Sequence, residues 1–365
     1  MGFDAQSQAL PGVRALQPYQ PGKPVSELQR ELGLEQVIKL ASNENPLGCS
    51  PQVQQALQPC LSTLAIYPDG AGFELRAALA QHHGLALEQV TLGNGSNDLL
   101  EIIAHTFLAH EHAAIVAQYA FAIYGLVVRA IGAELVVVPA RDYGHDLVGM
   151  AAAITAQTRI LFIANPNNPT GSCLSQAQLR TFMRTLPEHV VVVLDEAYLE
   201  YAEEGGVDAA AWLAEFPALI ICRTFSKAYG LAALRIGYAL SSPAIADLLN
   251  RVRQPFNVST LGLVAARAAL ADQDFVARSR QVNAAGKAQL QRGLQNLGLK
   301  VLPSQGNFLC VDLARPAQAV YTALLARGVI VRPLAGYDLP QHLRISVGLE
   351  AENDLCLRAL AEVLA

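Results

Sequence analysis

An α/β fold in two domains is what this chain predicts, and three features predict it. Short β-branched runs alternate with helix-length stretches between residues 89 and 240. Most of those runs are apolar without interruption, the pattern of strands in a largely parallel sheet covered on both faces. Beyond residue 255 the texture changes to a long Ala-rich segment and then shorter strand-like runs, so a smaller α+β unit should follow the larger one.

In chain order, residues 1–48 are rich in Pro and Gly ("QPYQPGKP", "KLASNENPLG") and read as an extended arm packed with the small domain, around one short helix at "VSELQRELG". Residues 49–255 form the large domain. Its strand candidates are "QVTLG" (89–93), "AAIVA" (113–117), "ELVVVP" (134–139), "RILFIAN" (159–165), "VVVVLDE" (190–196), "ALIICRT" (218–224) and "RIGYAL" (235–240). Helical stretches such as "SNDLLEIIAHTFLA" and "SQAQLRTFMRTLP" lie between them, which makes a three-layer unit on a mostly parallel seven-stranded sheet. Residues 256–365 form the small C-terminal domain: one helical region over about 260–297, strands near "NFLCVDL", "GVIVRP" and "LRISVG", and a terminal helix.

Composition narrows the function classes. With 52% hydrophobic and 16% charged residues the chain is globular rather than disordered. A net charge of −5 without a basic block excludes a nucleic-acid surface, so the partner is a small molecule. Six scattered cysteines show neither C-x-x-C nor metal-ligand spacing, and His82, His83, His105 and His145 show no ligand spacing either, so no metal is expected. No apolar run reaches spanning length and "MGFDAQSQAL" has no leader pattern, which points to the cytoplasm.

The residues with chemistry fall at the ends of strand candidates, where ligands bind in open α/β sheets. In "TLGNGSNDLLEII", Gly93 and Gly95 permit a tight turn and Ser96 or Asn97 can cap the helix, leaving amides that suit a phosphate. A dinucleotide fingerprint is excluded, because Asp98 stands where a third glycine is needed. "FIANPNNPTG" places Asn168 in a turn between prolines, a rigid corner or a fixed amide donor. "VVVVLDEAY" ends four valines and a leucine on Asp195, which is a helix cap, a core ion pair or a site carboxylate; Tyr198 reaches the same face. Lys227 in "RTFSKAYGLAALRIGY" is a solvated loop cation or a reactive amine, flanked by Thr224, Ser226 and Arg235. One cofactor employs the whole set. Pyridoxal phosphate needs a Schiff-base lysine, a carboxylate for its ring nitrogen, donors for its ring hydroxyl and an anion site for its phosphate.

"NPNNPTG", "LDEAY" and "TFSKAYGLAALRIGY", in this order, resemble the fold-type-I pyridoxal-phosphate aminotransferases. The arm motifs, "YPDG", "LGNGSND", "GVIVRPL" and "LRISVG" are similar to the branch that acts on histidinol phosphate. The resemblance covers nearly the whole chain. It implies transamination between histidinol phosphate and 2-oxoglutarate, a homodimer with shared sites, Lys227 as the cofactor-bound base and Asp195 on the ring nitrogen. It further implies Asn168 and Tyr198 on the ring hydroxyl, and Gly95, Ser96, Asn97, Thr224, Ser226 and Arg235 around the phosphate, with Tyr67 reaching over from the other subunit. Phe121 of "YAFAIY" would stack on the ring, although this chain has Tyr119-Ala120 where many relatives have Pro-Thr, so Tyr119 competes for that role. Arg344, Arg332, Tyr19 and Asn43 would bind substrate.

Three other readings stay open at this level. The same scaffold serves aromatic amino acid aminotransferases and decarboxylases of phosphorylated amino acids. A non-catalytic cofactor sensor would need a further domain for which this chain has no spare length. A nicotinamide dehydrogenase would leave the lysine unexplained.

Overall fold

The computed structural model describes residues 3–18, 22–202 and 209–365, and three sheets organise them. The arm supplies β1 (Ile38–Lys39). The large sheet takes β2 (Val90–Gly93), β3 (Ala113–Ala117), β4 (Glu134–Val138), β5 (Thr158–Ala164), β6 (Val191–Asp195), β7 (Leu219–Thr224) and β8 (Gly237–Leu240). Their order is β2-β8-β7-β6-β5-β3-β4, and β8 alone runs antiparallel to its neighbours. All seven expected strands are present. The last starts two residues late, because Arg235 adopts left-handed backbone (φ 50°) and closes a 3-10 turn before pairing begins.

Burial follows the two-residue period of a strand. Along β5, Ile160 and Phe162 enter the core on one face, while Leu161 and Ile163 enter the core on the other. Helix Ser96–Phe107 and helix Ala122–Ile131 cover the first face, and helices Phe73–His83 and Gln176–Met183 cover the second.

The smaller sheet holds β9 (Lys300–Val301), β10 (Phe308–Asp312), β12 (Arg332–Leu334) and β13 (Leu339–Ser346), antiparallel in the order β12-β13-β10-β9. "GVIVRP" is two strands rather than one: β11 (Val329–Ile330) pairs with β1 of the arm, and β12 pairs with β13. Ile38 and Leu40 are thereby buried in the small domain's core beside Leu309, Leu343 and Ile345.

Two helical expectations are corrected. The arm carries three short helices, Ala5–Gln8, Pro11–Arg14 and Val25–Leu32, rather than one. The region 260–297 breaks into Thr260–Ala271 and Gln273–Asn296, because the Asp272 side chain accepts the Phe275 amide (3.1 Å) and starts a second helix. Val258, Ala265, Ala266, Ala269, Leu270 and Val276 belong to the large core, so the unit built on the seven-stranded sheet extends past residue 255. We propose that the changeover to the small domain lies within helix Gln273–Asn296. Among the described residues no helix is long and apolar enough to cross a membrane, and no group of side chains could hold a metal ion.

Candidate active site

A cavity of about 200 Å³ opens at the carboxyl ends of β5, β6 and β7, between the large sheet, the arm and the small domain. Its walls bring together Asn43, Ser96, Asn97, Phe121, Asn168, Asp195, Tyr198, Thr224, Ser226, Lys227, Arg235, Arg332 and Arg344 from across the chain.

Lys227 follows β7 by three residues. Its Nζ donates to the Ser42 carbonyl of the arm (3.1 Å) and lies 5.7 Å from the centre of the Tyr198 ring. Burial, reinforced by Arg344 and Arg235 and opposed by Glu44, brings the ammonium down to about 7. Lys227 is thus a half-buried amine in the cavity wall, hydrogen-bonded to the arm, rather than a fully solvated loop cation.

Asp195 ends β6 and is 4% exposed. Tyr124 donates its hydroxyl to Oδ2 (2.7 Å) and the Ala197 amide donates to Oδ1 (3.1 Å). Burial raises the carboxyl above its usual range, and these two hydrogen bonds and Lys227 oppose the rise. The core ion pair belongs instead to the next residue: Glu196 accepts from Arg223 at 2.7 Å and 2.9 Å, with both side chains buried.

The turn after β2 departs from expectation in its cap. Gly95, not Ser96 or Asn97, is the N-cap of helix Ser96–Phe107, and no side chain caps it. Gly95 has a positive φ (81°) with extended ψ (169°), a conformation glycine alone adopts readily, and a Cβ there would run into the Arg235 guanidinium. The Arg235 guanidinium therefore packs against the start of this helix, and its Nη1 donates to Ser226 Oγ (3.2 Å); Thr224 Oγ1 accepts the Ser226 amide (3.1 Å). Amides, hydroxyls and a guanidinium in one concavity make a site for a phosphate.

The opposite set of contacts comes from the small domain. Arg344, 6% exposed, donates to Asn168 Oδ1 and to the Ala41 carbonyl, both at 2.6 Å, and lies over the Phe308 ring. Arg332 is its direct cross-strand partner, so both guanidiniums serve one cavity wall. Asn43 is left-handed (φ 54°); its amide donates to the Tyr198 hydroxyl (2.9 Å) and its Oδ1 accepts from Ser346 (2.8 Å). Burial pushes Tyr198 up to about 12, so it remains a phenol at neutral pH.

Phe121 lines the cavity, whereas Tyr119 stacks on Tyr143 (5.9 Å) and its carbonyl accepts from Asn167. Tyr67 is 78% exposed, stacked on Phe256 (4.7 Å), and does not line its own chain's cavity. Tyr19 lies outside the described residues. Sequence reasoning missed Tyr124 and the Ser42 carbonyl. Tyr124 sits in the "YAFAIY" motif one helical turn after Phe121, which was the available signal; a carbonyl acceptor leaves none.

Known proteins resemble this chain over nearly its whole length. The family model described as "Aminotransferase class I and II" matches residues 35–360. A histidinol-phosphate aminotransferase 2 of Pseudomonas fluorescens (strain Pf0-1) is 55% identical over 98% of this chain and 97% of its own length. Another, from Methylococcus capsulatus, is 53% identical over 98% of both chains. The crystal structure of histidinol-phosphate aminotransferase from Sinorhizobium meliloti in complex with pyridoxal-5'-phosphate superposes with a TM-score of 0.91, at 33% identity and 98% coverage of each chain.

Proposed function

The chain belongs to the class I and II aminotransferases, and from that premise we propose that it transfers the amino group of L-histidinol phosphate to 2-oxoglutarate. The products are imidazole acetol phosphate and L-glutamate, in histidine biosynthesis, and the cofactor is pyridoxal phosphate. One observation carries the reading: Lys227 and three arginines face one cavity, Asp195 is the acid among its lining residues, and the arginines divide between two separate sets of partners. Two anionic groups therefore find separate cationic partners in one small site. Relatives named for histidinol phosphate favour that substrate over an aromatic amino acid or a decarboxylase reaction.

The residues present fit the cofactor. The concavity at Gly95 excludes even a Cβ, and Ser96, Asn97, Thr224, Ser226 and Arg235 would hold the phosphate. Asp195 would meet the ring nitrogen, Asn168 and Tyr198 the ring hydroxyl, and Phe121 a ring face. When bound, pyridoxal phosphate supplies the electron sink that lets a C–H bond beside the amino group break.

The chain's own residues do the rest. Lys227 Nζ, at about 7, can take a proton and return it near neutral pH, which is what a shuttle between two carbon positions requires. Its hydrogen bond to the Ser42 carbonyl orients the amine when it is free. Arg344 is already held in place by Asn168 and the Ala41 carbonyl, so little side-chain entropy is lost when it receives an anion. The buried Arg223–Glu196 pair ties the end of β7, three residues before Lys227, to the end of β6, where Asp195 stands.

We further propose a homodimer in which Tyr67 completes the neighbouring site. Leu61, Leu64, Ile66 and Phe73, close to Tyr67 in the sequence, are exposed large apolar side chains of the kind a second copy covers. Six free cysteines fit a cytoplasmic location. The test is amino transfer to 2-oxoglutarate from histidinol phosphate and, separately, from phenylalanine. A kcat/KM at least about tenfold higher for histidinol phosphate is expected. Use of phenylalanine without histidinol phosphate would defeat the substrate assignment.

A further inference from the structure

Beyond the residues that would touch the cofactor, Tyr124 stands out by its geometry. It lies in the first turn of helix Ala122–Ile131 and is fully buried. Its ring is stacked on Phe162 of β5 with centroids 4.8 Å apart and planes 7° from parallel, and it meets Phe121 edge-on at 5.8 Å. Those two contacts fix the ring, so the hydroxyl has one direction available. That direction ends on Asp195 Oδ2, 2.7 Å away.

We propose that Tyr124 is a positioning residue that keeps Asp195 a carboxylate aimed at the cofactor's ring nitrogen. The inference rests on the cofactor reading above. A buried phenol needs an acceptor, and any backbone carbonyl would satisfy a merely structural role. Here the acceptor is the cavity's carboxylate, and the Ala197 amide holds its other oxygen. With an N–H on Oδ1 and an O–H on Oδ2, the carboxylate cannot rotate without losing a bond.

The surrounding groups leave this task to Tyr124. Cys222 is level with Asp195 on β7, and burial pushes its thiol well up, so it stays neutral. Tyr198, following β6, bonds to Asn43 instead. Lys227, beyond β7, is the cation facing Asp195, and its own Nζ is turned to the Ser42 carbonyl. Glu196 is engaged by Arg223. An O–H donor stabilises the ionised carboxyl specifically, which opposes what burial does to it.

The experiment uses cofactor-free protein and 4'-deoxypyridoxine 5'-phosphate, which lacks the aldehyde and cannot bond covalently to Lys227. A second probe has carbon in place of the ring nitrogen. Affinities for both are measured by calorimetry for wild type and Tyr124→Phe, with Asp195→Asn as the reference for loss of the ring-nitrogen contact. Tyr124→Phe removes one oxygen and keeps the stacked ring. It should weaken the nitrogen-bearing probe about tenfold or more and the carbon probe less than about twofold, the size expected for a bond to a charged acceptor. Equal weakening of both probes would assign Tyr124 a packing role and overturn the proposal. So would no weakening of either. Wild-type protein that bound neither probe would overturn the cofactor reading itself, a result distinct from both.

Discussion

Replacing Arg332 by Gln should lower kcat/KM for histidinol phosphate about 10- to 30-fold while changing that for phenylalanine less than about threefold. The magnitude follows from where the two small-domain arginines of the cavity sit. Arg344 is buried and held by two 2.6 Å bonds, so its guanidinium can receive a carboxylate unaided. Arg332 stands directly across the strand pair and is half-buried, so it adds charge where a dianion needs a second cation. A charge-assisted hydrogen bond contributes about 1.5–3 kcal/mol, and partial exposure places Arg332 toward the lower part, about 1.5–2 kcal/mol. At about 1.4 kcal/mol per factor of ten this gives the stated range. The assay is the ratio of kcat/KM for the two donors, with 2-oxoglutarate saturating, in wild type, Arg332→Gln and Arg332→Lys. The lysine variant should recover part of the loss, because charge survives while the fork does not. A ratio unchanged by Arg332→Gln would refute the reasoning and leave the phosphate to Arg344.

Three more perturbations have defined outcomes. Lys227→Met should abolish turnover, and it should also change how cofactor-free protein responds to pH. The folded state releases the Lys227 proton near 7 while the unfolded chain keeps it until about 10.5, so the unfolded state binds more protons between those values and stability rises with pH there. Urea midpoints measured across that window should climb more steeply in wild type than in the variant; parallel curves would contradict the buried-amine assignment. Gly95→Ala should fold, at a cost of about 1–3 kcal/mol for a backbone region that glycine alone adopts readily, but lose affinity for pyridoxal phosphate because the new methyl displaces Arg235. Undiminished affinity in a cofactor titration would remove Gly95 from the cradle. Arg223→Met removes the guanidinium that Glu196 accepts from at 2.7 Å in the core, so chemical denaturation should report a loss of about 3–5 kcal/mol; a loss below about 1 kcal/mol would remove this pair from the forces that hold β6 to β7.

Period and punctuation were enough for much of this molecule. The uninterrupted runs "AAIVA", "RILFIAN", "VVVVLDE" and "ALIICRT" have one stable environment, a sheet covered on both faces, and the backbone takes that form there, while "ELVVVP" forms the more exposed edge strand. Asp195 was legible as a candidate for a related reason: a charged residue ending an apolar strand is costly unless a partner employs it, and Lys227 stood out as an isolated cation between two apolar runs. Whatever depends on contacts between distant segments had to wait for the tertiary structure. Nothing local says that Ser42 will offer its carbonyl to an amine 185 residues away, or that Arg332 will face Arg344. Gly95 took the cap from Ser96 and Asn97 because Arg235, arriving from beyond β7, leaves room for no side chain at the turn. The 260–297 segment broke at Asp272 because helix capping there outweighed continued helix propensity. Tyr124 reads as one more core aromatic until the fold sets its hydroxyl on Asp195, since a hydrogen bond is decided by where two atoms meet and not by the pattern of either strand or helix that carries them.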